Sequence, residues 1–206
     1  MAFNYKTFTD AVRQYVPIFN GKVTQANYNG LVKAVAIGLS KSNPGVVLTE
    51  PKWLQVARSQ MGMKEIPGPK HNPYIVAGWK RLGAGWFTDD ETPWCGLFVA
   101  DCIDQAGLPY PKMFPRAKSW ATWGKTSTPC IGAVVVFGRT GGGHVGFLVG
   151  ESATNYYVLG GNQSNAVNIM PIAKSRKIAI RWPTTISNPD IDLPKMSGGV
   201  VSRNEA

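Results

Sequence analysis

Between residues 93 and 107, apolar side chains recur at positions 95, 98, 99, 102, 103 and 106. That is the period of a helix with one buried face. Thr92 is placed to cap this helix, Pro93 to take its first position and Gly107 to end it. Upstream, Trp53, Leu54, Ala57 and Met61 share a face of a helix expected over 51–61, with Pro51 at its start and Gly62 at its end. Shorter helices are expected over 74–81 and 117–123. After residue 132 the period changes. Residues 133–137 are nearly all apolar, as in a strand covered on both faces. Over 144–149, Val145, Phe147 and Val149 alternate with His144, Gly146 and Leu148. Residues 156–160, 167–172 and 177–181 offer three more strands. Helices first and an antiparallel meander afterwards predict an α+β domain.

The flanks read differently from this central domain of 49–183. Two amphipathic helices, over 5–16 and 25–39, are expected within residues 1–48. Two short helices bury little by themselves, so this segment is a structural arm or a small binding unit. Residues 184–206 are polar and carry Pro, Gly, Ser and Asn, which predicts a loose, flexible tail.

Composition narrows the class. The chain has 206 residues, 44% of them hydrophobic, and seven tryptophans, which argues against wholesale disorder. No apolar run reaches the length of a membrane span. Lys6, Asp10 and Arg13 stand where a signal peptide needs an apolar core, so cytoplasmic synthesis is expected. A net charge of +10 seeks a polyanion: nucleic acid, anionic lipid or an anionic envelope. The basic residues are scattered and the aromatics are not interleaved with them, so a nucleic-acid partner is not expected. Three cysteines make no disulfide framework. The two histidines, His71 and His144, form no HxH or HExxH motif, so neither metal nor cofactor is expected.

The chemistry centres on Cys95. In the first turn of its helix, backbone N–H groups and the helix dipole favour a thiolate. Cys102 lies two turns on, within the apolar stripe, and reads as packing; Cys130 reads as structural. A nucleophilic thiolate needs an imidazole. His144 opens a strand after Thr140-Gly141-Gly142-Gly143, while His71 sits in a loop with two prolines and reads as a surface residue. Asn162, in Leu159-Gly160-Gly161-Asn162-Gln163-Ser164, is the candidate third group that orients the ring.

Several ordered motifs carry a family resemblance. Pro93-Trp94-Cys95, Ser119-Trp120 with Trp123-Gly124, residues 132–137, Gly143-His144-Val145-Gly146-Phe147 and residues 159–164 resemble the NlpC/P60 and CHAP superfamily, in particular its small branch in phage lysis proteins and bacterial cell-wall proteins. The likeness runs from about Trp53 to Pro183 and includes Glu65-Ile66-Pro67-Gly68. It implies a papain-like core, with Cys95 as nucleophile, His144 as base and Asn162 as polar orienter.

The resemblance also implies peptidoglycan as substrate. The bond would be either one in the stem peptide or the N-acetylmuramoyl-L-alanine amide. It makes an endolysin-like, monomeric enzyme the leading expectation, acting on the wall after release from the host cytoplasm and drawn to the anionic envelope without inserting into the membrane. A thiol amidase acting on another amide, or an inactive wall-binding or virion protein, is the alternative. Residues 1–48 become a possible wall-binding segment. Trp94 and Trp120 are candidate walls of the groove, although Trp120 suits the core equally. Asp89 and Asp90 either contact an amine-bearing peptide or merely surround a helix start, where acids are favoured. Gln163 is a further polar candidate for substrate binding.

Overall fold

The computed structural model describes residues 50–188 and 192–202. The expected arm over 1–48 lies outside the described residues. Among the described residues three helices come first: α1 (Lys52–Ser59), α2 (Pro73–Arg81) and α3 (Cys95–Gln105). After a 3-10 turn, Ala117–Thr122, six strands follow: β1 (Lys125–Thr126), β2 (Val134–Arg139), β3 (Gly142–Glu151), β4 (Asn155–Gly160), β5 (Asn168–Ala173) and β6 (Lys177–Trp182). They form one antiparallel sheet in the order β1-β6-β2-β3-β4-β5. The α+β expectation is borne out.

Packing follows the apolar pattern. Val134, Val135, Val136 and Phe137 are all buried, so β2 is covered on both faces. Helix α3 lies on β3, and α1 lies on α3. The edge strand β1 was not anticipated, because its two residues, Lys125 and Thr126, carry no apolar alternation; pairing with Trp182 and Arg181 of β6 defines it. The short helix expected over 117–123 is a 3-10 turn.

Polar locks hold the helices. Asn72 caps α2 by accepting from the Tyr74 N–H at 2.9 Å, with Pro73 in the first turn. Asp101, buried on α3, accepts from Gln60 of the α1 C-terminus at 2.8 Å, Tyr74 at 2.7 Å and Gln105 at 3.0 Å, and pairs with Arg81. One carboxylate therefore ties both outer helices to the helix that begins at Cys95. Burial and then Asp101 push the Tyr74 phenol up to about 12.

The C-terminal stretch is a strap where a flexible tail was expected. Glu151 N–H donates to the Pro194 carbonyl at 2.9 Å, Met196 N–H to that of Glu151 at 2.8 Å and Ser202 N–H to that of Pro171 at 2.9 Å. Tyr157 donates its hydroxyl to the Gly198 carbonyl at 2.7 Å, and Leu193 is buried. Gly150 permits the approach, since a Cβ there would collide with Met196 Sδ. A polar, glycine-bearing composition hid this because the strap is held through its backbone.

Candidate active site

Helix α3 starts later than the sequence predicts. Its N-cap is Trp94, not Thr92, and Cys95 is its first residue. Thr92 is occupied otherwise: its N–H donates to Asp89 Oδ1 at 2.6 Å, closing a turn before the helix. The first helical bond runs from Phe98 N–H to the Trp94 carbonyl at 2.9 Å. Cys95 thus stands at the helix mouth and is buried, at 6% exposure.

Two segments span the space between the neighbours of Cys95 and those of His144. In one, the Phe114 and Pro115 carbonyls press on Gly96, where any Cβ would collide with the first. The same stretch continues to Lys118, whose Cγ would lie 3.1 Å from a Cβ at Gly143. In the other, a Cβ at Gly161 would sit 2.5 Å from Trp94 Cζ3 and 2.5 Å from Phe98 Cβ, and one at Gly160 would sit 3.0 Å from His144 Nε2. Glycine at these positions lets the backbone come this close. Gly96 follows Cys95 and Gly143 precedes His144, so both segments connect the start of α3 to the start of β3.

His144 is buried on β3, opposite Phe137 of β2. Its Nε2 lies 3.0 Å from Gln163 Oε1. The Gln163 amide is held in one orientation, because its Nε2 donates to the Val158 carbonyl at 3.2 Å, the Asn168 carbonyl at 2.7 Å and Asn168 Oδ1 at 2.9 Å. Carbonyl oxygens only accept, so Oε1 must face the imidazole. The ring nitrogen opposite it must then donate, which places the proton of neutral His144 on Nε2 and leaves Nδ1 as the basic nitrogen.

Asn162 does not hold the ring. Its Oδ1 is buried and makes no hydrogen bond. Its backbone is left-handed, with φ of 55°, as it is at Ser164 (52°) and Asn165 (59°). Asparagine tolerates this region better than most residues. Its contribution is the turn that sends Gln163 back toward His144. Spacing pointed to Asn162, whereas the carboxamide that meets the ring in the structure is its neighbour Gln163.

The expected substrate contacts are mostly interior. Gln163 is 0% exposed and committed to His144. Trp120 is 0% exposed, donates to the Phe114 carbonyl at 3.1 Å and meets Trp123 edge-on at 5.3 Å. Trp94 is 1% exposed and donates to Glu65 Oε1 at 2.7 Å. These rings are spent on packing, and neither offers an open face to a groove.

The acids are structural as well. Asp90, fully buried, accepts from the N–H groups of Ile66 at 2.8 Å and Asn72 at 2.6 Å, and meets His71 Nδ1 at 3.0 Å. Burial opposes its charge, yet these hydrogen bonds outweigh it and hold the carboxyl below its usual value. Asp89 is held low chiefly by the Thr92 backbone bond. Both fasten loops around the approach to α3. Glu65 is pushed up by burial and by Asp90, Glu91 and Asp89, against the Trp94 bond.

The other cysteines are removed from thiolate chemistry. Burial and then the Asp101 charge push the Cys102 thiol well up, and burial does the same at Cys130. Among the described residues, no group of three His, Cys, Asp or Glu is arranged to hold a metal ion. None of their helices is long and apolar enough to cross a membrane.

A cysteine at a helix mouth and an imidazole oriented by a carboxamide are groups of the kind that thiol hydrolysis uses. Residues 87–162 match the CHAP domain family. The match includes Cys95, His144 and the turn at Asn162, and it is consistent with the NlpC/P60 and CHAP superfamily. A CHAP domain points to a hydrolase of the cysteine or amidase type. No curated protein and no solved structure matches the chain.

Proposed function

We propose that this protein is an endolysin-like peptidoglycan hydrolase that cuts an amide of the cell-wall peptide through a thioester on Cys95. The observation that carries the reading is the fixed Gln163–His144 bond, which leaves Nδ1 as the only basic nitrogen of the ring. His144 Nδ1 takes the Cys95 proton, and the sulfur attacks the carbonyl carbon. Gln163 Oε1 keeps its hold on Nε2–H and steadies the imidazolium that forms. The N–H groups at the start of α3 are the natural donors to the oxyanion. His144 then protonates the leaving amine, and the C–N bond breaks. Next it takes a proton from water, whose oxygen attacks the thioester, releasing the carboxylic product and restoring the thiol. The triad is Cys-His-Gln, in a papain-like setting.

The CHAP match supports this substrate class, and the net charge of +10 suits an anionic wall. Stem-peptide endopeptidase and N-acetylmuramoyl-L-alanine amidase activities use the same three residues. The test is release of soluble fragments from purified walls. Cys95→Ala and His144→Ala are expected to abolish it with unchanged thermal melting. Mass spectrometry of the fragments identifies the bond by its new termini. Wall turnover at full rate by Cys95→Ala would sink the reading.

A further inference from the structure

The stretch 114–118 runs from the start of α3 to the start of β3, with the Phe114 and Pro115 carbonyls against Gly96 and Lys118 against Gly143. Two cations stand on it. Arg116 and Lys118 are exposed, with buried Ala117 between them. Neither forms an ion pair among the described residues. We propose that Arg116 and Lys118 recognise a free carboxylate of the substrate peptide and so decide which end of it lies toward the start of β3. This rests on the peptide-amide reading given above.

The charge pattern favours that orientation. Around Trp94 the surroundings are acidic: Glu65 bonds to its indole, and Asp90, Glu91 and Asp89 act on Glu65. A carboxylate is repelled there and drawn to 116–118. Arg116 supplies a planar fork suited to carboxylate oxygens, and Lys118 a point charge. The Lys118 stem already packs against Gly143. Less rotamer freedom is therefore lost when its ammonium engages a ligand. Wall stem peptides bear such carboxylates on the glutamyl residue and at the C-terminus.

The test uses the full chain carrying Cys95→Ala and four synthetic stem peptides. These have a carboxylate or a carboxamide at the glutamyl position, each with a free or amidated C-terminus. Calorimetry is expected to show binding tighter by about 3- to 30-fold when one of the two positions is a carboxylate. Which position matters identifies the group. Adding Arg116→Gln with Lys118→Met should erase the preference, while Lys118→Arg should keep it. Equal binding of all four peptides, no binding of any, or a preference untouched by the double variant overturns the proposal. Cleavage is measured in parallel with Cys95 intact. A carboxylate preference in binding without cleavage counts against the hydrolase reading alone; cleavage without a preference counts against this proposal alone.

Discussion

His144 Nε2 lies 3.0 Å from Gln163 Oε1, and the rest of the Gln163 amide is consumed by Val158 and Asn168. The ring is thus oriented by a side chain that is itself immobilised at both ends of its amide. Removing it should disturb both chemistry and fold. Gln163→Leu is expected to lower kcat about 100-fold, more than it alters KM, because the wrong tautomer of His144 becomes accessible. It should also cost about 1–3 kcal/mol, since acceptors of Val158 and Asn168 lose their donor. Steady-state kinetics on a soluble wall peptide and a denaturant melt check the two halves.

Asn162 gives the contrasting expectation. Asn162→Gly keeps the left-handed turn and removes a buried oxygen that has no partner. Activity should stay within a few-fold of the parent and stability should not fall, whereas Asn162→Ala should lose about 1 kcal/mol from backbone strain. A loss of activity in Asn162→Gly as deep as that in Gln163→Leu would return the orienting role to Asn162.

Gly160 tests the same bond from the strand side. A Cβ there would lie 2.8 Å from Gln163 Oε1 and 3.0 Å from His144 Nε2. Gly160→Ala should therefore push the two partners apart, with an expected activity loss of about 10-fold and about 1–3 kcal/mol of overpacking. Comparing the pH–rate profile with that of the parent reads the altered imidazole environment.

Asp90 predicts a pH dependence. Its folded pKa is depressed, so its contribution is present above the unfolded carboxylate value near 3.8 and is lost as pH falls through the folded value. Asp90→Ala leaves the Ile66 and Asn72 N–H groups unpaired and should cost about 1–3 kcal/mol at neutral pH. The gap between parent and variant should narrow below about pH 4. Thermal melts at pH 7, 5 and 3 measure it.

The strap gives a truncation test. Deleting residues 192–206 removes the backbone bonds to Glu151 and Pro171 and uncovers the site of buried Leu193. Lys174 and Lys195, which hold the Glu151 carboxyl below its usual value, then lose one member of the pair. The melting temperature is expected to drop by several degrees. An unchanged melt would show that the strap adds nothing.

By itself the sequence determined the parts that local periodicity encodes. The stripe from Cys95 to Ala106, the apolar run of β2 and the alternation after His144 specify a helix and strands, because side-chain direction repeats every 3.6 or two residues. Cys95 and His144 stood out because a thiol at a helix start and a histidine at a strand start are visible in one dimension. Tertiary structure decided which carboxamide meets the ring, since three left-handed residues in four turn Gln163, not Asn162, toward it. It gave Trp94, Trp120 and Asp90 to the interior, because hydrogen bonds to Glu65, the Phe114 carbonyl and the loop of Ile66 and Asn72 depend on other segments meeting them. The strap followed the same logic: backbone bonds carry no sequence signature, and only packing against the sheet creates them.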